Sequence, residues 1–283
     1  MAKIIAICNQ KGGVGKTTTT VNVGAALALA GIPTLLIDLD AQGNATIFSG
    51  VDRGNLQRTM YDSLIEHVPL SEIIVKSGVD GLDVAPATID LAGADVRLGQ
   101  LEEKESVLRK LCESVTDRYQ AILLDCPPSL GLVTVNALVA ADTVLIPLQC
   151  EYLSLEGLTA LTQAIDVIKR SLNPSLEIGG IALTMTDFRA NLAREVADEV
   201  RKFFPGKVFE TTIPRNIRLA ESPSFGKPIF SYDPHSVGAM SYHLLTKEVM
   251  KKMLGKSDQE QIATPQPLPA EQSAGQAGES QAP

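Results

Sequence analysis

The sequence contains no tryptophan, and tyrosine and phenylalanine bring its aromatic content to only 4%. Its core must therefore be aliphatic. The four cysteines, Cys8, Cys112, Cys126 and Cys150, are scattered with no C-x-x-C pair. This argues against a disulfide framework and reads as reduced, buried, small hydrophobes. No apolar run is long enough to span a bilayer, and the first residues enter a strand too soon for a signal peptide, so a cytoplasmic protein is expected. Excess basic charge is also missing. The formal net charge of −8 gives no general support to nucleic-acid binding, which leaves only a local basic patch as a route to it.

The sequence is instead rich in aliphatic residues arranged in alternating segments. Hydrophobic residues make up 45% of 283 residues, enough for one sizeable core or two small ones. Strand-like runs occur at KIIAIC (3–8), 34–40, 81–87, 119–127, 142–148 and 178–185. Helix-like segments lie at 17–31, 96–114, 131–141, 154–171, 190–204 and 235–254, with no internal repeat. This alternation predicts an α/β fold, a twisted and mostly parallel sheet with helices on both faces. After Gly255 the composition changes to Gln, Pro, Ala, Ser and Glu with no aromatic residue, so residues 1–254 are expected to form the domain and 255–283 a disordered tail.

The stretch NQKGGVGKTTTT (9–20) carries the strongest chemical signal. The common phosphate-loop pattern is G-x-x-x-x-G-K-[ST]. Gly15, Lys16 and Thr17 fill its last three places, but Gln10 stands where the first glycine belongs, and an extra Lys11 precedes Gly12 and Gly13. A buried strand before this loop and an Ala/Leu-rich helix after it give the setting such a loop needs. Backbone N–H groups and the helix dipole then converge on one anion site. Lys16 is placed to meet β- and γ-phosphates, and the Thr17 hydroxyl to ligate Mg²⁺.

Two apolar strands end in aspartate. ILLDCPP ends in Asp125, in the form of a second carboxylate acting on the metal through its water shell. LLIDLDAQGNAT supplies Asp38 and Asp40, whose i, i+2 spacing on a strand predicts both side chains on one face, near the same γ-phosphate. A strand-end aspartate can equally serve as a helix cap or turn residue. Three of them beside a phosphate loop favour the functional reading.

On these motifs, KGGVGKTTT (11–19), DLDAQGNAT (38–46) and DCPPSLG (125–131), the chain resembles the deviant Walker A ATPases of the ParA/MinD family. TMTDFRANL (184–192) and IPRNIRLAESPSFGKPI (213–229) resemble the chromosomal ParA, or Soj-like, branch. The resemblance runs from about residue 2 to 253 and implies a P-loop NTPase-type sheet, ATP and Mg²⁺ as cofactors, and an ATP-dependent homodimer. It implies that Lys11 reaches across the dimer to the partner's phosphates while Lys16 contacts those of its own subunit. The phosphate-binding segment would be Lys11, Gly12, Gly13, Val14, Gly15, Lys16, Thr17 and Thr18, with Thr18 on the α-phosphate. Thr17, Asp38 and Asp125 would attend the metal, Pro214 and Asn216 the adenine, and Asp40 the attacking water. A free aspartate is too weak a base to deprotonate water at neutral pH, so Asp40 is read as a positioning group.

Three functions suit such a loop. A partitioning ATPase would bind double-stranded DNA without sequence preference in the bacterial nucleoid and be stimulated by a ParB-type partner. A MinD-like membrane switch would need a basic amphipathic C-terminal helix, and EVMKKMLGK (248–256) has only some of that character. A reductase resembling the nitrogenase iron protein would need a second cysteine in a glycine-rich loop beside Cys126, and none is present. Between Asp187 and Lys227 there are eight basic residues against six acidic ones, a weak excess. Arg189 and Arg218 stand out because similar proteins use arginines in these segments to contact phosphate. No helix-turn-helix precedes the loop, so sequence-specific binding is not expected.

Overall fold

The computed structural model describes residues 2–152 and 154–256. Seven strands form one sheet: β1 (Lys3–Ile7), β2 (Thr34–Asp38), β3 (Val75–Lys76), β4 (Leu82–Ala85), β5 (Ala121–Asp125), β6 (Thr143–Gln149) and β7 (Glu177–Thr184). Their order is β3-β4-β2-β5-β1-β6-β7, and every pairing is parallel except β3 with β4. The chain leaves β1 through helix α1 (Lys16–Leu29) and returns at β2, two strands away, with β5 inserted between them. Loops after β1, β2, β5, β6 and β7 thus emerge at one carboxyl edge, where open α/β sheets bind their ligands.

Alternation along the strands builds two aliphatic layers. Ile4, Ala6, Leu35, Ile37, Ile122 and Leu124 face one way, into a core closed by helices Leu132–Ala140, Ser154–Ser171 and Asn191–Phe203. Ile5, Ile7, Leu36, Leu123 and Leu145 face the other, under α1 and the long helix Val237–Met253. Gly24 lets α1 lie close to the sheet, since a Cβ there would stand 3.3 Å from Leu123 and Leu82. Beyond α1, Gly31 takes a left-handed φ of 76°, which ends the helix where the sequence predicted.

The single helix expected over 96–114 is two helices, Ala94–Leu98 and Val107–Glu113. Gly99 ends the first, and the charged run after it supplies no apolar period. Glu103 adopts a left-handed φ of 54°, with its carbonyl accepting from Ser106 N–H and its carboxylate paired to Lys110. The two-residue antiparallel β3 was not expected, being too short to leave a periodic signal. Of the expected tail, only Gly255 and Lys256 fall among the described residues.

Gly180 is buried in β7, and a Cβ there would lie 2.4 Å from the ring of fully buried Phe209. Gly180→Ala is expected to cost on the order of 1–3 kcal/mol through overpacking. Urea unfolding checks this; an unchanged midpoint would show that the ring yields without cost.

Candidate functional site

The loop between β1 and α1 is fastened to the strands beside it. Asn9 Nδ2 donates to the Pro147 carbonyl at 2.7 Å, and its Oδ1 accepts from Lys11 N–H at 3.0 Å. Thr184 Oγ1 donates to the Val14 carbonyl at 2.7 Å. Gly13 and Gly15 hold left-handed φ values of 73° and 86°, which side-chain-bearing residues adopt at a cost. Lys16 is buried, and its Nζ donates to the Lys11 carbonyl at 3.2 Å, so the ammonium lies inside the loop it belongs to. Burial lowers its pKa, while Asp125 and, more weakly, Asp40 act in the opposite sense.

Asp38 and Asp125 face each other in register at the ends of β2 and β5, both fully buried. Asp125 Oδ2 accepts from Thr17 Oγ1 at 2.8 Å and Oδ1 from Thr20 Oγ1 at 2.7 Å. Burial, and then the nearby Asp38 charge, push the Asp125 carboxyl up, against the two threonine bonds. Asp38 is raised by burial and held back by the N–H and hydroxyl of Thr46, at 2.8 and 2.7 Å. The expected shared face of Asp38 and Asp40 is not found, because β2 stops at Asp38 and the chain turns. Asp40 donates its N–H to Asp38 Oδ1 at 3.1 Å and accepts Gln42 N–H on its own carboxylate at 3.0 Å. Asp40 is half-buried at the mouth, close enough to act on Lys16, while Asp38 lies behind it.

This donor set suits a hard divalent cation. Two carboxylates and a hydroxyl converge where only one buried ammonium balances them. Among the described residues no three His, Cys, Asp or Glu side chains form a metal cage. That is compatible with Mg²⁺, which takes few protein ligands and keeps water and phosphate oxygens.

Beside the loop, a cavity of about 370 Å³ is lined by Gly15, Thr18, Met185, Pro214, Asn216 and Tyr242 among others. Thr18, Pro214 and Asn216, which the resemblance gives to the α-phosphate and the adenine, all line this cavity. Asn216 caps helix Ile217–Glu221 by accepting Leu219 N–H on Oδ1 at 3.1 Å, which directs its amide nitrogen elsewhere. Met185 has a φ of 50°, a strained conformation for a side-chain-bearing residue, at the edge of this cavity.

Lys11 and Gly12 do not close on this site. Lys11 Nζ pairs with Glu151 at 2.5 Å, beyond the end of β6. A Cβ on Gly12 would meet nothing within 4 Å, and its φ is not in the left-handed region. Among the described residues, neither packing nor φ requires glycine there.

The two arginine-bearing segments come together. Thr186 and Pro214 form a parallel bridge, and Arg215 N–H donates to the Thr186 carbonyl at 3.3 Å. Arg189 is exposed and grips Asp187 through Nε and a terminal nitrogen, at 2.8 and 2.6 Å. Arg218 pairs with Glu221 at 3.0 Å and Asp233 at 3.3 Å. Arg215 is exposed and makes no ion pair among the described residues, though its charge helps hold Asp187 ionised.

A family model described as an AAA domain matches residues 2–178. Over 263 residues the chain is 50% identical to the chromosome partitioning protein ParA of Myxococcus xanthus (strain DK1622), covering 93% of each chain. The chain belongs to the ParA/Soj family of chromosome-partitioning ATPases. It is also 51% identical over 249 residues to the sporulation initiation inhibitor protein Soj of Bacillus subtilis (strain 168), covering 88% of this chain and 98% of that one. The cobyrinic acid a,c-diamide synthase of Mycobacterium smegmatis, solved with ADP and magnesium, superposes with a TM-score of 0.78 at 33% identity, over 90% of this chain and 97% of that one.

Within this ParA/Soj-family site, sequence reasoning missed Thr20, Thr46, Glu151, Met185 and Tyr242. Thr20 was within reach, since it stands three residues after Thr17 on the same helical face. Glu151 had no signal, lying 140 positions from Lys11. Thr20→Val leaves one buried Asp125 oxygen without its donor and is expected to lower stability by about 1–3 kcal/mol. Thr20→Ser should keep most of it. Denaturant unfolding of both variants is the check, and a Thr20→Val protein as stable as the original would show that the bond holds nothing.

Proposed function

We propose that the chain, through an ATPase domain spanning 1–254, is a nucleotide-driven switch. Bound to ATP and Mg²⁺ it forms a homodimer that holds double-stranded DNA without sequence preference. A ParB-type partner then triggers hydrolysis and release. The observation that carries this reading is the pair Lys11–Gly12, an extra cation directed away from its own loop toward Glu151 and a glycine that neither packing nor φ explains among the described residues. Two triphosphates facing each other across a two-fold axis would repel. A lysine given by each partner turns that repulsion into an interface that lasts only while the γ-phosphate is present. A bare Gly12 would let the second backbone come close.

In this reading Lys16 leaves the Lys11 carbonyl for the β- and γ-phosphates of its own subunit, and loop N–H groups including those of Gly13 and Gly15 surround them. Thr17, now bonded to Asp125, would hold the metal together with Asp125 and Asp38, the two carboxylates acting through water. Mg²⁺, if bound there, would supply positive charge to offset that of the triphosphate. Thr18 meets the α-phosphate, and Pro214 and Asn216 border the adenine. Asp40, at the mouth, orients the attacking water.

The DNA surface is drawn from Arg189, Arg215 and Arg218, which the bridge between their segments gathers together. Pairing with Asp187 weakens Arg189, and pairing with Glu221 and Asp233 weakens Arg218, so one subunit presents only a modest attraction, and dimerisation doubles it. The membrane alternative has less support. Of the apolar residues of EVMKKMLGK, Val249, Met250 and Met253 are buried under the sheet and Leu254 is partly buried against the same core, and no helix among the described residues is long and apolar enough to cross a membrane. A cluster-bridging role for Cys126 meets a similar difficulty, since its thiol is buried against Cys8 at 2.8 Å.

Random-sequence DNA should shift in gels with wild type only in ATP and Mg²⁺. Six arginines per dimer predict a loss of about 10³-fold in affinity between ~50 and 200 mM salt. Arg189→Glu with Arg218→Glu should remove the shift and leave ATP-dependent dimerisation intact. Binding to anionic liposomes in place of DNA would transfer the reading to the membrane switch.

A further inference from the structure

The Lys11 ion pair is part of a built arrangement. The Glu151 oxygen not facing Lys11 accepts Gln149 Nε2 at 2.5 Å, so the carboxylate is held at both oxygens. Its backbone is also fixed, with its N–H donating to the Gln149 carbonyl and its carbonyl accepting Ser154 N–H, both at 2.9 Å. Opposite it, the Lys11 backbone is set by Asn9, itself anchored on Pro147 of β6. The end of β6 therefore fixes both the loop that carries the lysine and the anion that receives its charge. The side chains remain 30% and 50% exposed, open enough to exchange partners.

We propose that Glu151 is a positioning residue that holds Lys11 folded back in the single subunit, in the place of the phosphates it meets across the dimer. The proposal rests on the reading that Lys11 acts in trans. A carboxylate bearing one charge stands in for a triphosphate bearing several, so the lysine transfers only when a partner presents ATP. With ADP or no nucleotide, the internal pair competes on better terms and the subunits stay apart. Each dimer breaks two such pairs as it forms, which raises the nucleotide-bound concentration at which association begins.

Glu151→Gln removes the charge and keeps the shape. Two half-exposed ion pairs predict a dimer Kd in ATP and Mg²⁺ lower by roughly 2- to 30-fold, read by sedimentation of the full chain. The gain should shrink as salt screens the pair in wild type. Glu151→Asp, which keeps the charge at a shorter reach, should fall between the two. In a Lys11→Ala background Glu151→Gln should change nothing, because the effect acts through Lys11. ADP affinity, measured by calorimetry, separates dimerisation from nucleotide binding and should not move. A wild type that dimerises with ATP while Glu151→Gln dimerises equally or less well overturns this inference alone. A wild type that stays monomeric in ATP and Mg²⁺ overturns the functional reading and the inference together.

Discussion

The grip of α1 on Asp125 is the contact on which the site's geometry depends. Thr17 and Thr20 sit one turn apart on the first turns of α1, and each bonds one oxygen of the same carboxylate at the end of β5. This fixes the helix start against a strand other than the one that precedes it. The loop must then span the gap from β1, and its short length forces the left-handed turns at Gly13 and Gly15. A carboxylate fully out of water is costly unless hydrogen-bonded, and the two hydroxyls offset part of that cost in the resting subunit. Both are mobile donors, so Thr17 can be redirected to a metal while Thr20 keeps its hold.

The loop's residues divide into two groups by where their reasons lie. Gly13 and Gly15 are explained by backbone conformation, Val14 by complete burial, and Lys16 by its place inside the loop. Gly12 has neither a neighbour nor an unusual φ, and Lys11 points away to Glu151. On the proposed reading, these two residues, adjacent in sequence and at the edge of the loop, are the ones that a second subunit would complete. Arg189 and Arg218 are likewise each held by an acid in the single subunit, and on the proposed reading two copies acting together would strengthen them.

Much of this was legible in the sequence. The long strands and helices announced themselves because burial on both faces leaves unbroken aliphatic runs, and the phosphate loop because its chemistry needs glycine and lysine at fixed spacing. Other features left no such trace. Helix 96–114 looked continuous because Leu and Lys favour helix, while Gly99 and the turn at Glu103 broke it. Asp38 and Asp40 were expected on one face, but strand geometry ends at Asp38, and its side chain turns to Thr46. Glu151 belongs to no motif; only the folded sheet brings it to Lys11.

The central claim, that each site is completed by a lysine from the other subunit, can be tested by mixing two inactive variants. Lys11→Ala subunits keep Asp40 but lack the donated lysine; Asp40→Ala subunits donate Lys11 but cannot position the water. If Lys11 acts in trans, a mixed dimer contains one complete site, and equal mixing should restore ATP turnover to as much as about one quarter of wild type. If Lys11 serves its own subunit, no combination contains a complete site. Turnover that stays at the level of the separate variants would contradict the account.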